Sequence, residues 1–278
     1  MTLTRRQVQA LLEEHGIRPS RALGQNFVVD PNTVRRIARL ATVGPGDRVV
    51  EIGAGLGSLT LALAATGASV TAVEVDHHLV PVLRSVVHEA GVTVVHADAM
   101  TLDWHALLVG GPWTLVANLP YNVATPLVAD LLDGVPAIGR MLVMVQREVG
   151  ERLAAAPGDE AYGAVSVKVA YWATASILGR VPPTVFVPQP RVESALVEIV
   201  RRPAPAVDVP PEQLFPLVRA GFATRRKMLR RALAGLVEPA AFEGAGIAPE
   251  ARAEELDVAA WGRLAAWSPA PGSSLSPS

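Results

Sequence analysis

Residues 47–58 read DRVVEIGAGLGS. The stretch Glu51-Ile52-Gly53-Ala54-Gly55-Leu56-Gly57 closes an expected strand and opens a helix, a place where glycines let the backbone turn sharply and approach a ligand closely. Glycine turns after strands are common, so the spacing carries the information. A dinucleotide fingerprint G-x-G-x-x-G needs glycine at 58, but Ser58 stands there and the third glycine comes one position early. The G-x-G-x-G spacing suits a loop that embraces an amino-acid moiety rather than a pyrophosphate.

Outward from this turn, apolar β-rich segments alternate with helical ones: SVTAVEVD, then a helix; VTVVHAD; WTLVANLPY, then a helix; and MLVMVQ. Such alternation predicts a doubly wound α/β sheet with a mostly parallel core. Later strands are expected at Ala175–Val181 and Ala195–Arg201. Before the turn, residues 5–15 and 31–41 read as helices, the second capped by Asp30 with Pro31 at its first position. The loop between them contains RALGQNFVVD. The proline-dense RRPAPAVDVPP, Arg201–Pro211, reads as a linker to a small helical domain, and the final AAWSPAPGSSLSPS as a low-complexity, disordered tail. The expected division is therefore 1–203, 204–265 and a tail at 266–278.

Glu74 ends the second of these strands, where an acidic side chain can accept both ribose hydroxyls of a nucleoside. Asp98 follows the third, placed to meet the adenine edge. A lone acid at a strand end is commonly just a solvated charge, but three such features on successive strand ends share the carboxyl edge of the sheet. S-adenosylmethionine is the nucleoside ligand that fits. At the fourth strand end stands Asn118-Leu119-Pro120-Tyr121. An exocyclic adenine amine is a poor nucleophile because its lone pair is delocalised into the ring. A side-chain amide oxygen and a proline-fixed carbonyl can accept its two N–H bonds and turn the lone pair toward a methylsulfonium. Tyr121 can stack on a base taken out of its helix.

The 278 residues contain no cysteine, which removes disulfides, thiolate metal sites and every Cys-nucleophile mechanism. No metal is expected. The net charge of −1 means that affinity for nucleic acid must come from local clusters. One lies between Arg219 and Arg231, with six basic residues and no acid: Arg219, Arg225, Arg226, Lys227, Arg230 and Arg231. As a single helix it would set Val218, Phe222, Leu229 and Leu233 on one apolar stripe, with Arg219, Arg226 and Arg230 on another face. If Thr224 instead caps a second helix, Arg219 drops out. The apolar run from Ser58 to Val75 is punctuated by Gly67, Ser69, Thr71 and Glu74, so a membrane span is rejected. The opening MTLTRRQVQALLEEHG does not read as a secretory signal, and a cytoplasmic, monomeric protein is expected.

RALGQNFVVD, VVEIGAGLGSLT, AVEVD, ADAM, NLPYNVATPL, VQREVGERL, VFVPQPRVESALV and GFATRRKMLRRAL occur in the order that characterises the KsgA/RsmA type of ribosomal RNA adenine dimethyltransferase. The chain resembles that family from about Arg21 to Leu264. The resemblance implies a class I, Rossmann-like, S-adenosylmethionine-dependent methyltransferase fold with a small all-helical C-terminal domain. It also implies a substrate, two adjacent adenosines near the 3′ end of small-subunit rRNA in an immature 30S-type subunit, each methylated twice at N6.

Carried over position by position, Asn26, Val28 through its backbone, Gly53, Gly55, Glu74, Asp98 and Asn118 are implied cofactor contacts. Asn118, Pro120, Tyr121 and Phe186 are implied at the target base, and Arg226, Lys227, Arg230 and Arg231 on RNA. Val28 replaces the usual leucine, and Met228 stands where threonine is common. Three other readings compete. The Erm type, acting on large-subunit rRNA, shares the cofactor motifs, but NLPYNVATPL and RRKMLRR resemble the small-subunit family better. A non-catalytic assembly factor would not need Glu74, Asp98, Asn118 and Tyr121 intact. An NAD oxidoreductase conflicts with Ser58.

Overall fold

The computed structural model describes residues 2–20, 23–120, 123–224 and 227–267. In chain order its strands are β1 (Phe27–Val28), β2 (Arg48–Ile52), β3 (Ser69–Glu74), β4 (Thr93–His96), β5 (Trp113–Asn118), β6 (Ile138–Gln146), β7 (Ala173–Val181), β8 (Phe186–Val187) and β9 (Ser194–Arg201). Seven of them form one sheet in the order β4-β3-β2-β5-β6-β9-β7. Pairing is parallel from β4 through β6 and antiparallel between β6 and β9. This is the doubly wound, mostly parallel α/β sheet expected from the alternating pattern. The chain leaves β2 toward β3 on one side and returns to β5 on the other, so the strand order reverses beside β2, where ligands of open α/β sheets bind.

The N-terminal helices form where their caps direct. Thr4 and Gln7 make a capping box for Arg5–Glu14, and Asp30 accepts the Thr33 amide at the start of Pro31–Leu40. Val8, Leu12, Phe27, Val29, Leu56 and Leu79 pack together, which anchors the loop at 23–28 to the helix before it and to the glycine turn. Strand β1 pairs antiparallel with β8, setting Phe27 opposite Val187 and Val28 opposite Phe186.

The chain divides into two compact units, and not at a single point. One is Met1–Ala154 with Thr174–Arg201; the other is Ala155–Ala173 with the chain from Arg202 on. The expected boundary at 203/204 is therefore corrected, because helix Ala164–Trp172 buries Val167 and Tyr171 in the helical core with Leu214, Phe215 and Trp261. The Tyr162 and Tyr171 hydroxyls donate to the carbonyls of Leu256 and Val209, each at 2.8 Å. The helical unit also extends further than expected, since helix Val258–Ala266 takes in Ala266 and Trp267 packs against the same core. The rest of the expected tail lies outside the described residues. No helix among the described residues is long and apolar enough to cross a membrane.

The basic segment takes neither expected form. Helix Pro211–Ala223 ends at Thr224, which is its C-cap, and the next helix, Leu229–Ala232, begins after Met228 in an extended conformation. Apolar burial still drives the arrangement, since Val218, Leu229 and Leu233 share one core on both sides of the break.

Candidate active site

The carboxyl ends of β2, β3 and β5 open into a cleft lined by Asn26, Val28, Gly53, Gly55, Glu74 and Asn118. An adjoining recess is lined by Asp98, Met100, Val73 and Leu127, and the two share Leu23, Gly53, Val75 and Pro120. The expected cofactor residues thus line two adjoining hollows. Gly53, Gly55 and Gly57 all have positive φ, at 71°, 59° and 86°. A Cβ at Gly55 would stand 3.1 Å from the Phe27 ring, and one at Gly57 would stand 3.0 Å from Leu83. The second glycine therefore admits the Phe27 ring, while the third seats helix Ser58–Ala64 on its neighbour.

Glu74 is 5 % exposed. Its Oε2 accepts the Gly55 amide at 2.7 Å, and its Oε1 accepts the amides of Val75 and Asp76 at 3.0 and 2.9 Å. Burial pushes its carboxyl above the ordinary range, with these three bonds pulling the other way. Asp98 is exposed, and its Oδ1 accepts the Met100 amide at 2.9 Å.

Asn118 donates from Nδ2 to the carbonyl of Asn26 at 2.9 Å. That bond assigns the amide, because the atom facing a carbonyl must be the donor, and it leaves Oδ1 as an acceptor. The carbonyl of Pro120 accepts the amides of Val123 and Ala124 at 3.2 and 3.1 Å and so opens helix Ala124–Gly134. That carbonyl is thus engaged by the helix, while the Pro120 ring lines both hollows. Tyr121 lies outside the described residues.

Phe186 lines neither hollow. It is 1 % exposed, inside the core with Val34, Ile37, Leu142 and Leu196. There it sits opposite Val28 across the β1–β8 pair and fastens β1 to the body of the sheet. In the helical unit, Lys227, Arg230 and Arg231 are exposed, and Arg230 pairs with Glu250 at 3.1 Å. Arg226 lies outside the described residues.

Two groups escaped the sequence reading. Gln25 links the 20–28 loop to Asp76 at 2.7 Å. Glu51 lines the cleft at 2 % exposure, and its Oε2, with the hydroxyls of Ser58 and Thr60, has no hydrogen-bond partner among the described residues. Burial pushes the Glu51 carboxyl up to about 8; the nearby Thr60 hydroxyl opposes this without forming a well-shaped bond, and the Glu74 charge adds to it. An acid inside an otherwise apolar strand was the available signal.

A cradle of left-handed glycines, a buried acid and an unpartnered carboxyl oxygen suit a ligand with hydroxyls and an amino group, and the apolar recess beside Asp98 suits a purine. The model of the ribosomal RNA adenine dimethylase family matches residues 17–268. A ribosomal RNA small subunit methyltransferase A from Kineococcus radiotolerans is 51 % identical over 278 residues, covering 96 % of this chain and 92 % of that protein. One from Streptomyces coelicolor is 47 % identical, covering 93 % and 94 %. Among solved structures, the 23S rRNA methyltransferase ErmE superposes with a TM-score of 0.69 at 26 % identity, over 86 % of this chain and 98 % of that one. A dimethyladenosine transferase from Plasmodium falciparum, 21 % identical, shares the fold with a TM-score of 0.71 over 84 % and 94 %.

Proposed function

The chain belongs to the ribosomal RNA adenine dimethylase family, and from that premise we propose that it dimethylates N6 of two adjacent adenosines in the 3′-terminal hairpin loop of small-subunit (16S) rRNA. It acts on an immature 30S-type subunit during ribosome biogenesis, as a cytoplasmic monomer. The relatives at 47–51 % identity carry the small-subunit name, against 26 % for the large-subunit enzyme ErmE.

S-adenosylmethionine is the methyl donor and, when bound, supplies an electrophilic methyl group. The glycine turn and Glu51 face its amino-acid end, Glu74 takes a ribose hydroxyl on the one Oε2 lone pair that its three amide bonds leave open, and the free Oδ2 of Asp98 meets the adenine amine. One observation carries the reading of the chemistry: Asn118 spends its donor on Asn26 and keeps Oδ1 for the target amine. Oδ1 and the Leu119 carbonyl accept the two N–H bonds, so the nitrogen lone pair points out of the ring plane toward the methyl group. As the N–C bond formed, the methyl–sulfur bond would break and its electron pair would pass to sulfur, leaving S-adenosylhomocysteine; the nitrogen would become acidic and shed a proton to water, so no general base is obligatory. Tyr121 stacks on the extruded base. Arg226, Lys227, Arg230 and Arg231 bind RNA phosphates.

The test is to incubate the protein with labelled S-adenosylmethionine and small subunits lacking the modification, then to map the label. Two adjacent doubly methylated adenosines are expected. Label elsewhere, or only on large-subunit RNA, would overturn the assignment.

A further inference from the structure

A chain of hydrogen bonds joins the cofactor end of the cleft to the group that orients the nucleophile. Glu74 Oε1 accepts the Asp76 amide at 2.9 Å. Asp76 in turn accepts the His78 amide on Oδ1 at 2.9 Å and Gln25 Nε2 on Oδ2 at 2.7 Å. The other end of the same side chain, Gln25 Oε1, accepts the Ser20 amide at 2.7 Å, and the Gln25 amide donates back to the Ser20 carbonyl at 3.0 Å. Gln25 is thus committed at every polar atom of its side-chain amide, with oxygen and nitrogen assigned by their partners. The next residue, Asn26, presents the carbonyl that receives Asn118 Nδ2.

Asp76 is 9 % exposed. Burial is the largest influence on its carboxyl and pushes it up. The Gln25 and His78 hydrogen bonds and the charges of His78 and His77 together hold it below the ordinary range, so it stays ionised and a full-strength acceptor. The geometry matters because an asparagine amide turned by half a revolution keeps its shape but exchanges donor for acceptor. Nδ2 facing an adenine amine would set donor against donor. The Asn26 carbonyl forbids that orientation only while it is held in place.

We propose that Gln25 and Asp76 are a positioning pair for methyl transfer: their hydrogen bond fixes the Asn26 carbonyl, which selects the Asn118 orientation that offers Oδ1 to the target amine. This rests on the role given to Asn118 above. Gln25 borders the cleft with its side-chain amide already committed to Ser20 and Asp76, and Asp76 lines neither hollow. The pair acts on the rate of the chemical step, through Asn118, more than on binding.

The hydrogen bond can be reversed in polarity, which separates positioning from packing. Gln25→Glu alone sets two carboxylates against each other. Asp76→Asn alone must turn an NH2 toward either Gln25 Nε2 or the His78 amide. The double variant Gln25→Glu/Asp76→Asn restores every bond, with one new carboxylate oxygen accepting from Ser20 and the other from the new amide. Each single variant is expected to slow single-turnover methyl transfer roughly 10-fold or more, the scale of a lost hydrogen bond to a charged group. The cofactor KM should change less than kcat, and the double variant should recover most of the rate. Thermal midpoints show whether the singles are folded; if either is not, the double variant alone decides. Nuclear magnetic resonance supplies a readout independent of turnover: exchange protection of the Asn118 side-chain NH2 should fall in the singles and return in the swap. Singles with the wild-type rate, or a folded double variant no faster than the slower single, would overturn the pairing. Wild-type protein that methylates no small-subunit RNA would instead sink the proposed function and leave the amide-protection test standing.

Discussion

The carboxylate of Glu74 accepts the amide hydrogen of Gly55 at 2.7 Å, so the end of the second strand of the nucleotide-binding half is wired to the glycine turn of the first. Glu74 therefore shapes the turn as well as facing the ligand. Glu74→Ala should weaken S-adenosylmethionine binding by roughly 1.5–3 kcal/mol for lost hydrogen bonds to a charged group. Glu74→Gln, which must present an NH2 to one set of backbone donors, should recover only part of that. Calorimetric titration of both variants checks this, and an unchanged affinity for Glu74→Ala would remove the residue from the site.

Glu51 makes stability depend on pH. Its carboxyl titrates at about 8 in the fold against an ordinary 4.5. Below the lower value both folded and unfolded chains hold the proton. Between the two values the unfolded chain releases it while the folded chain keeps it, so stability falls as pH rises and levels off above about 8. Glu74, raised for the same reason, adds to the fall with the same sign. Glu51→Gln should therefore be more stable than wild type at pH 8, by on the order of a few kcal/mol, with the advantage shrinking toward pH 5. Urea denaturation across that range measures it, and an advantage independent of pH would contradict the assignment.

Met228 occupies the N-cap of helix Leu229–Ala232, where its side chain caps none of the open backbone amides and its Sδ accepts from Arg230 Nη2 at 3.8 Å. Threonine supplies an oxygen for one of the open amides. Met228→Thr should stabilise the helical unit by ~0.5–2 kcal/mol, read as a raised denaturation midpoint with methylation rate unchanged. A lowered midpoint would mean that the methionine packs better than a cap could compensate.

Lys227, Arg230 and Arg231 make a quantitative demand on RNA binding. Replacing all three with alanine should flatten log K against log[salt] by roughly 2–3 units, at ~0.7–0.9 per phosphate contact. Because Arg230 already pairs with Glu250, Glu250→Gln should tighten RNA binding at low salt. A triple variant with the wild-type slope on small subunits would return the segment to ordinary surface.

The strands and the cofactor cleft were legible because they depend on local pattern: apolar runs of strand length, glycines at 53, 55 and 57, and acids at strand ends. What escaped depends on distance along the chain. Gln25 and Asp76 are 51 residues apart, and nothing in either neighbourhood announces their bond. The choice between one helix and two around Thr224 stayed open in the sequence, because Val218, Phe222, Leu229 and Leu233 keep a helical period that two helices sharing one core satisfy as well as one. Phe186 shows the opposite difficulty, since a strand-end aromatic reads alike whether it stacks on a base or fills a core, and the structure shows its packing among Val34, Ile37 and Leu142.

The interrupted path of the helical unit limits how the protein can be recombined. A cut after residue 203 leaves behind Tyr162, Val167 and Tyr171, and with them the edge-on contact of the Tyr171 and Phe215 rings at 5.3 Å. A C-terminal fragment made that way starts with its aromatic centre incomplete. A chimaera with a relative joined at one crossover inherits an unmatched pair of half-cores, one from each parent. Grafting this unit whole therefore takes three joints, near 154/155, 173/174 and 201/202. Exchange of the helical unit between relatives is in this way constrained by chain connectivity.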